Sequence, residues 1–255
     1  MPRPSLFRPT DRHPSLWVRP EERYPTFWVE TLGSLPPTHG ERWSAARGRT
    51  VRHFDPYRSK LAAALARGWE GELPASGERW LYLGAASGTT ASFVADLVGS
   101  AGRVYAVEKS LRPFGRLLSV AERWPNLLPI LADARRPRDY VDFVPNVAGI
   151  YVDISQPDQV EIFRENAALF LEERGRGLIA LKASSIERGI PPAEHARRAV
   201  DALATEYRGV GPIPLSPFHR AHYFLDLRLG PPSSGGPKSV RRPTRGPGSR
   251  GSRPQ

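Results

Sequence analysis

Short apolar runs alternate with longer helical patterns through most of the chain. The apolar runs cover 80–83, 104–107, 127–131, 147–152 and 178–181, and the helical patterns cover 89–98, 111–123, 135–144, 158–170 and 193–207. Two further apolar runs, 209–213 and 222–229, come last. Because strands that alternate with helices form parallel sheets, this pattern predicts an α/β fold with a doubly wound, mostly parallel sheet and one antiparallel strand.

The pattern changes on either side of this region. Residues 1–20 are rich in Pro and Arg and predict an irregular arm, whereas 21–55 contain the β-prone pieces YPTFWVETLG and GRTVRHF and predict a small N-terminal β domain. The α/β domain is expected over 56–230. Residues 231–255 consist almost entirely of Pro, Gly, Ser, Arg and Lys, so we expect a disordered tail. Nonspecific RNA binding and simple solubilisation are both open as roles for this tail.

The composition is strongly basic, with a net charge of +11, 33 arginines and only four lysines. Such a surface favours a polyanionic partner, with nucleic acid as the first expectation. The absence of cysteine excludes disulfides, thiolate metal sites and a cysteine nucleophile. The first twenty residues lack the apolar segment of a signal peptide, and no apolar run is long enough to span a bilayer. We therefore expect a soluble, cytoplasmic protein.

The first strand-to-helix junction reads LYLGAASGTT. Its small residues Gly84, Ala86 and Gly88 would let the chain turn sharply and bring its backbone against a ligand at the helix N-terminus. The nicotinamide fingerprint requires glycine where this chain has Ala86 and Thr89, so the junction departs from that motif. Taken alone, the loop fits either a nucleotide-like cofactor site or a tight structural turn.

Acidic residues follow the next two predicted strands. Glu108 ends the second strand, where a carboxylate can accept both ribose hydroxyls of an adenosine cofactor. Asp133 follows the third strand, within reach of an adenine amino group. Each acid alone could be an ordinary strand-end or helix-cap residue, but together they predict an adenosine pocket.

Three further charged residues occupy positions that could converge on one cleft. Asp153 follows the fourth strand, where an unpaired carboxylate is costly. Lys182 follows the fifth strand, so its ammonium is expected to be partly desolvated. Lys60 lies in the helix RSKLAAALARG before the first strand. In a chain so biased toward arginine, a lysine can have a task that arginine cannot perform, such as giving up a proton.

Several strings are similar to those of one family. RSKLAAAL, LYLGAASGTTAS, VYAVE, LPILADAR, IYVDISQPDQ and LKASSIE resemble the fibrillarins, in particular the archaeal fibrillarin-like proteins, over roughly 55–186. The resemblance implies an S-adenosylmethionine-dependent RNA 2′-O-methyltransferase with a Rossmann-like domain, acting on rRNA and also on tRNA. It also implies a box C/D ribonucleoprotein, in which a guide RNA selects the target RNA beside a Nop-type scaffold and a kink-turn-binding protein. No membrane partner and no metal are implied.

The resemblance also implies roles for individual residues. The catalytic set would be Lys60, Asp153 and Lys182, with Asp153 orienting Lys182. The cofactor would be held by the loop residues Gly84, Ala86 and Gly88, by Thr89 and Thr90 at its methionine end, by Glu108 at the ribose, by Asp133 and Ala134 at the adenine, and by Asp153 and Gln156 at the reaction centre. Lys109 would also line the cofactor site, at a position where an aromatic residue is common in this family.

The chain departs from the family pattern before its last strand. Fibrillarins there resemble PYERDHA preceded by an acid, whereas this chain has Ser216, His219 and Ala221 in place of the three acids. One alternative is therefore a catalytically weakened subunit that serves assembly of the same particle. A second alternative is an NAD-dependent oxidoreductase. The neighbours His219 and His222 are interpreted as structural rather than as a metal site.

Overall fold

The structure, a computed structural model, describes residues 7–20, 25–33, 39–183 and 190–230. The predicted tail at 231–255 and the first six residues of the predicted arm lie outside these ranges. Within them the chain forms two β-sheets and five α-helices. None of the helices in the described ranges has the length and apolar character that crossing a membrane requires.

The N-terminal sheet is antiparallel. Its strands are β1 (Arg8–Pro9), β2 (Leu16–Arg19), β3 (Thr26–Glu30), β4 (Trp43–Ala46) and β5 (Arg49–His53), in the order β1-β2-β3-β5-β4. The small β module predicted from the sequence is therefore present.

The irregular arm predicted for residues 1–20 is wrong where β1 and β2 lie. β2 pairs with β3 residue for residue, and Leu16 opposes Val29 with both side chains buried. The prolines that suggested irregular backbone lie in the edge strand or just outside β2, where no ladder hydrogen bond is lost.

The second sheet confirms the predicted α/β fold. Its strands are β6 (Arg79–Leu83), β7 (Arg103–Glu108), β8 (Leu127–Leu131), β9 (Val147–Val152), β10 (Leu171–Lys182), β11 (Tyr207–Pro214) and β12 (His222–Leu229). They lie in the order β11-β12-β10-β9-β6-β7-β8, and β12 runs antiparallel to both of its neighbours while the remaining pairs are parallel.

Helices cover both faces of the second sheet. They are α1 (Lys60–Ala66), α2 (Thr89–Val98), α3 (Leu111–Ala121), α4 (Gln159–Phe170) and α5 (Pro192–Leu203). One core packs α1 to α3 and part of the N-terminal sheet against Tyr82, and the other packs α4 and α5 against Leu81. The chain passes from β6 outward to β8 and returns to β9 beside β6, so the strand order reverses there and opens a cleft at the strand ends.

A buried ionic network joins the N-terminal sheet to α2. The Arg52 guanidinium of β5 donates to Asp96 of α2 at 2.7 Å and to Glu41 at 2.9 Å. Asp96 also accepts from the Trp124 indole at 2.6 Å and from the Leu32 amide at 2.8 Å. Burial raises the pKa of Asp96, and the nearby Arg52 charge opposes that rise. The network fixes the N-terminal sheet against the face of the second sheet that carries α2.

Candidate active site

The loop after β6 turns tightly against the end of β9. Gly84 has a φ of +82°, and a Cβ atom there would lie 2.5 Å from the carbonyl oxygen of Asp153. Only glycine combines this backbone conformation with so close an approach. Gly88, with a φ of +86°, is the N-cap of α2, and Ala86 also has a positive φ. The small residues identified in the sequence thus bring the loop beside Asp153.

Glu108 connects two loops at the strand ends. One carboxylate oxygen accepts from the Ala86 amide at 2.9 Å, and the other accepts from the Ser110 amide at 2.7 Å. Only 8% of the residue is exposed. The carboxylate therefore holds the loop after β6 against the loop after β7.

A cavity of about 190 Å³ opens beside Glu108. The cofactor residues proposed from the sequence that line this cavity are Gly84, Ala86, Glu108, Lys109, Asp133, Ala134, Asp153 and Gln156. Residues from the ends of β6, β7, β8 and β9 thus converge on one space, with carboxylates beside apolar walls. The cavity satisfies the geometric part of the adenosine hypothesis.

Charged side chains connect the loops around this cavity. Lys109 lies 3.7 Å from Asp133 in an ion pair. Arg135 donates to Asp158 at 2.8 Å and 3.1 Å, and to the Gln156 side chain at 2.8 Å. The hydrogen bond from Arg135 lowers the pKa of Asp158. Arg135 was missed by sequence reasoning, because a partly exposed arginine in an arginine-rich chain gives no signal of its own.

Three of the proposed cofactor residues do not line this cavity: Gly88, Thr89 and Thr90. The Thr90 hydroxyl is buried and donates to Ser59 at 3.1 Å. Ser59 is the N-cap of α1 and accepts from the Ala62 amide, so Thr90 ties α2 to the start of α1. The contact of Thr89 and Thr90 with the methionine end of a cofactor stays a prediction.

Lys60 and Asp153 form an ion pair, although 93 positions separate them in the chain. Their ammonium and carboxylate groups lie 2.7 Å and 2.9 Å apart for the two oxygens. The side chains are 21% and 17% exposed, so the pair is largely shielded yet open to the cleft. α1 supplies Lys60 as its first residue, and Asp153 directly follows β9.

Lys182 is held by its backbone at the end of β10. Its amide donates to the Gln159 side chain at 2.9 Å, and its carbonyl accepts from the same side chain at 3.3 Å. Its ammonium makes no ion pair with any carboxylate in the described ranges. The structure thus differs from the interpretation that Asp153 orients Lys182, because the Asp153 carboxylate is engaged by Lys60.

His222 joins this group from the neighbouring strand. It lies opposite Lys182 in the antiparallel register of β12 and β10. Burial lowers its pKa, the Lys60 and Lys182 charges lower it further, and Asp153 opposes them. The sequence interpretation had treated His219 and His222 as a structural pair, and their rings do lie 5.8 Å apart. The position of His222 could be found only from the strand register, which the sequence pattern does not give.

The arrangement can support nucleophile activation without a built-in metal cluster. In the described ranges, no group of three or more histidine, aspartate or glutamate side chains is placed to hold a metal ion. Two amines, a carboxylate and an imidazole with a lowered pKa meet at the edge of an acid-lined cavity. Such a set can accept a proton from a hydroxyl and stabilise the oxyanion that forms.

Comparison with known proteins places this geometry in a family. The family model described as Fibrillarin matches residues 13–228. A fibrillarin-like rRNA/tRNA 2′-O-methyltransferase of Staphylothermus marinus is 40% identical over 199 residues, which are 76% of this chain and 85% of that relative. The structure of Aeropyrum pernix fibrillarin with natively bound S-adenosyl-L-methionine aligns with a TM-score of 0.79 and 37% identity, over 87% of this chain and 97% of that chain. A fibrillarin/Nop5p complex aligns with a TM-score of 0.73 and 38% identity, over 80% of this chain and 94% of that chain. The chain therefore belongs to the fibrillarin family.

Proposed function

We propose that this protein is an S-adenosylmethionine-dependent methyltransferase that modifies ribose 2′-hydroxyls of rRNA and tRNA. The observation that carries the proposal is the meeting of Lys60, Asp153 and Lys182 at the edge of the acid-lined cavity. The printed activity of the Staphylothermus marinus relative and the cofactor bound by the Aeropyrum pernix protein support it.

The residues around the cavity fit the cofactor chemically. Glu108 and Asp133 present carboxylate oxygens to hydroxyl and amino groups, and Ala134 offers an apolar wall. Asp153 and Gln156 lie toward the catalytic side chains. When bound, S-adenosylmethionine supplies a methyl group made electrophilic by its sulfonium. We assign its adenosine part to the cavity beside Glu108.

We assign proton removal to Lys182. A ribose hydroxyl is a weak nucleophile until its proton is taken up by a base within hydrogen-bond distance. Lys182 has no described carboxylate partner that would hold it in its charged form, whereas Lys60 is paired with Asp153. Lys60 then contributes positive potential to the developing oxyanion. His222 packs opposite Lys182 and, being neutral near pH 7, adds no opposing charge.

The particle is the coarser part of the proposal. The fibrillarin/Nop5p complex supports a Nop-type scaffold as the protein partner of this chain. We further propose that a box C/D guide RNA selects the target and that a kink-turn-binding protein completes the particle, which would work in the cytoplasm of an archaeal cell. The substitutions at Ser216, His219 and Ala221 leave the ion pair of Lys60 and Asp153 in place, so we prefer an enzyme to an assembly subunit without activity.

The test is transfer of labelled methyl groups from S-adenosylmethionine to a target RNA, with and without guide RNA and scaffold protein. We expect incorporation at one ribose, dependent on the guide. Asp153→Ala is the matched negative control, because it removes the partner of Lys60 without changing the adenosine acids. A complete particle that binds the cofactor but transfers no methyl group would establish the assembly alternative. Calorimetry with NAD in place of S-adenosylmethionine tests the oxidoreductase alternative, for which we expect no binding.

A further inference from the structure

A second and larger cavity lies between the N-terminal sheet and α1. Its volume is about 880 Å³, near the upper end of the range for ligand pockets. Its lining includes three arginines and three aromatic residues: Arg19, Arg42, Arg67, Phe27, Tyr57 and Phe218. We call this cavity the arginine cleft. Nothing in the reaction proposed above uses it.

The charge of the arginine cleft selects an anion. Arg42 and Arg67 are exposed, and neither pairs with a carboxylate in the described ranges. The Arg42 guanidinium lies 5.5 Å from the ring of Trp28, and Arg67 donates to a backbone carbonyl at 3.2 Å. Asp55 is the acid of the lining, and it accepts from the Tyr57 amide. The basic residues 231–255, which carry no acid, cannot be the occupant because like charges repel.

The aromatic residues narrow the class of anion. Tyr57 is 65% exposed, and its ring contacts Phe218 edge-on at 5.0 Å between centroids. An exposed ring beside exposed guanidinium groups suits an unpaired nucleic acid, since a base stacks on the ring and phosphates meet the arginines. An acidic peptide would use the arginines but would leave Tyr57 without a matching partner. The lining therefore favours RNA over an acidic protein segment.

The arginine cleft begins close to the catalytic side chains. Tyr57 precedes Lys60 by three residues, and Phe218 precedes His219. Burial lowers the pKa of His219, and the Lys60 charge lowers it further, so the two side chains are near neighbours. Arg67 caps the other end of α1, about 10 Å from Lys60 at the rise of an α-helix. The cleft thus runs along α1, away from the reaction centre.

We propose that the arginine cleft binds an unpaired RNA segment next to the methylated nucleotide, with a base against Tyr57 and phosphates against Arg42 and Arg67. This rests on the proposed function for the position of the reacting ribose. The binding itself does not depend on methyl transfer, so the two claims can fail separately.

The experiment measures binding of a fluorescein-labelled oligouridine to the full chain by anisotropy, across a range of salt concentrations. Arg42→Glu combined with Arg67→Glu should weaken binding at least tenfold and flatten the salt slope by about 1.4, which corresponds to two lost phosphate contacts on a single strand. Tyr57→Ala should weaken binding roughly 5- to 100-fold, the effect of one lost base stack. In the assembled particle, the same changes should raise KM for the target RNA.

Arg174→Glu is the matched control. Arg174 is exposed, forms no ion pair in the described ranges and lies near the start of β10, at the opposite end of the strand from Lys182. It should bind oligouridine like the wild type. Calorimetry with S-adenosylmethionine checks folding, and Arg42→Gln with Arg67→Gln replaces the double charge reversal if that variant does not fold.

Three outcomes decide the inference. Equal affinity and salt slope for the double charge reversal and the Arg174→Glu control would overturn it. So would unchanged RNA binding together with loss of scaffold protein binding, since the cleft would then hold an acidic protein segment. Loss of oligouridine binding in a series where even the wild type transfers no methyl group would support the cleft and overturn only the proposed function.

Discussion

Replacing Asp96 by alanine tests whether the buried ionic network holds the two sheets together. The change removes the partner of a guanidinium that is 2% exposed, and it leaves the Trp124 and Leu32 donors without their acceptor. Removing one partner of a buried ion pair costs about 3–5 kcal/mol. Each buried donor left unsatisfied costs about 1–3 kcal/mol, although these losses are not additive.

We therefore expect the free energy of unfolding to fall by about 4 kcal/mol or more. For a chain of this size, that corresponds to a drop in Tm of roughly 8–16 °C. The assay is thermal unfolding by circular dichroism, together with guanidinium denaturation.

The matched control is Asp201→Ala. Asp201 pairs with Arg197 at 2.7 Å, the same distance as Asp96 to Arg52, but it is 59% exposed. Solvent screens such a pair, so its loss should leave Tm almost unchanged. Equal losses for the two variants would refute the reasoning from burial. In a double-mutant cycle, Arg52→Met and Asp96→Ala should couple by about 2 kcal/mol, because each removes the other's partner.

Three further predictions concern the site. Lys182→Arg should lower single-turnover methyl transfer by about 10²–10⁴-fold, because arginine cannot take up the proton, and Lys60→Arg should lose much less; near wild-type rates for both would end the assignment of Lys182. Glu108→Ala should weaken S-adenosylmethionine binding by about 1–3 kcal/mol in calorimetry, and unchanged affinity would place Glu108 outside the cofactor site. The pKa of His222 is lowered from 6.5 in the folded state, so stability present above that pH should decline as the pH falls below it, and denaturation at pH 7.5 and 5.5 should show a smaller decline for His222→Gln than for the wild type.

The sequence pattern located most of the second sheet because its strands are short and apolar, with helices between them. It failed for the start of β10, where LEERGRG carries four charges and two glycines. A register shift between Leu171 and Arg176 lets this segment join the sheet beside β9. It also failed for β2, since proline content concealed a segment whose pairing with β3 decides its conformation.

The candidate site divides in the same way. Residues that end strands, such as Glu108, Asp133 and Asp153, follow from element order, because the ends of parallel strands meet at one edge. Which side chains touch does not follow: the sequence could not show that Asp153 pairs with Lys60 rather than with Lys182, or that Thr90 turns to α1. These choices depend on distances of a few ångströms that only packing sets.

The double attachment of Glu108 has a kinetic consequence. Both carboxylate oxygens are already engaged by main-chain amides of the loops after β6 and β7, so these loops are fixed before a ligand arrives. Capture of the cofactor then includes no slow ordering step at these loops, and its association rate reflects diffusion and orientation. Differences in affinity among variants that keep the two amide bonds should accordingly be found in the dissociation rate, that is, in how long the cofactor resides.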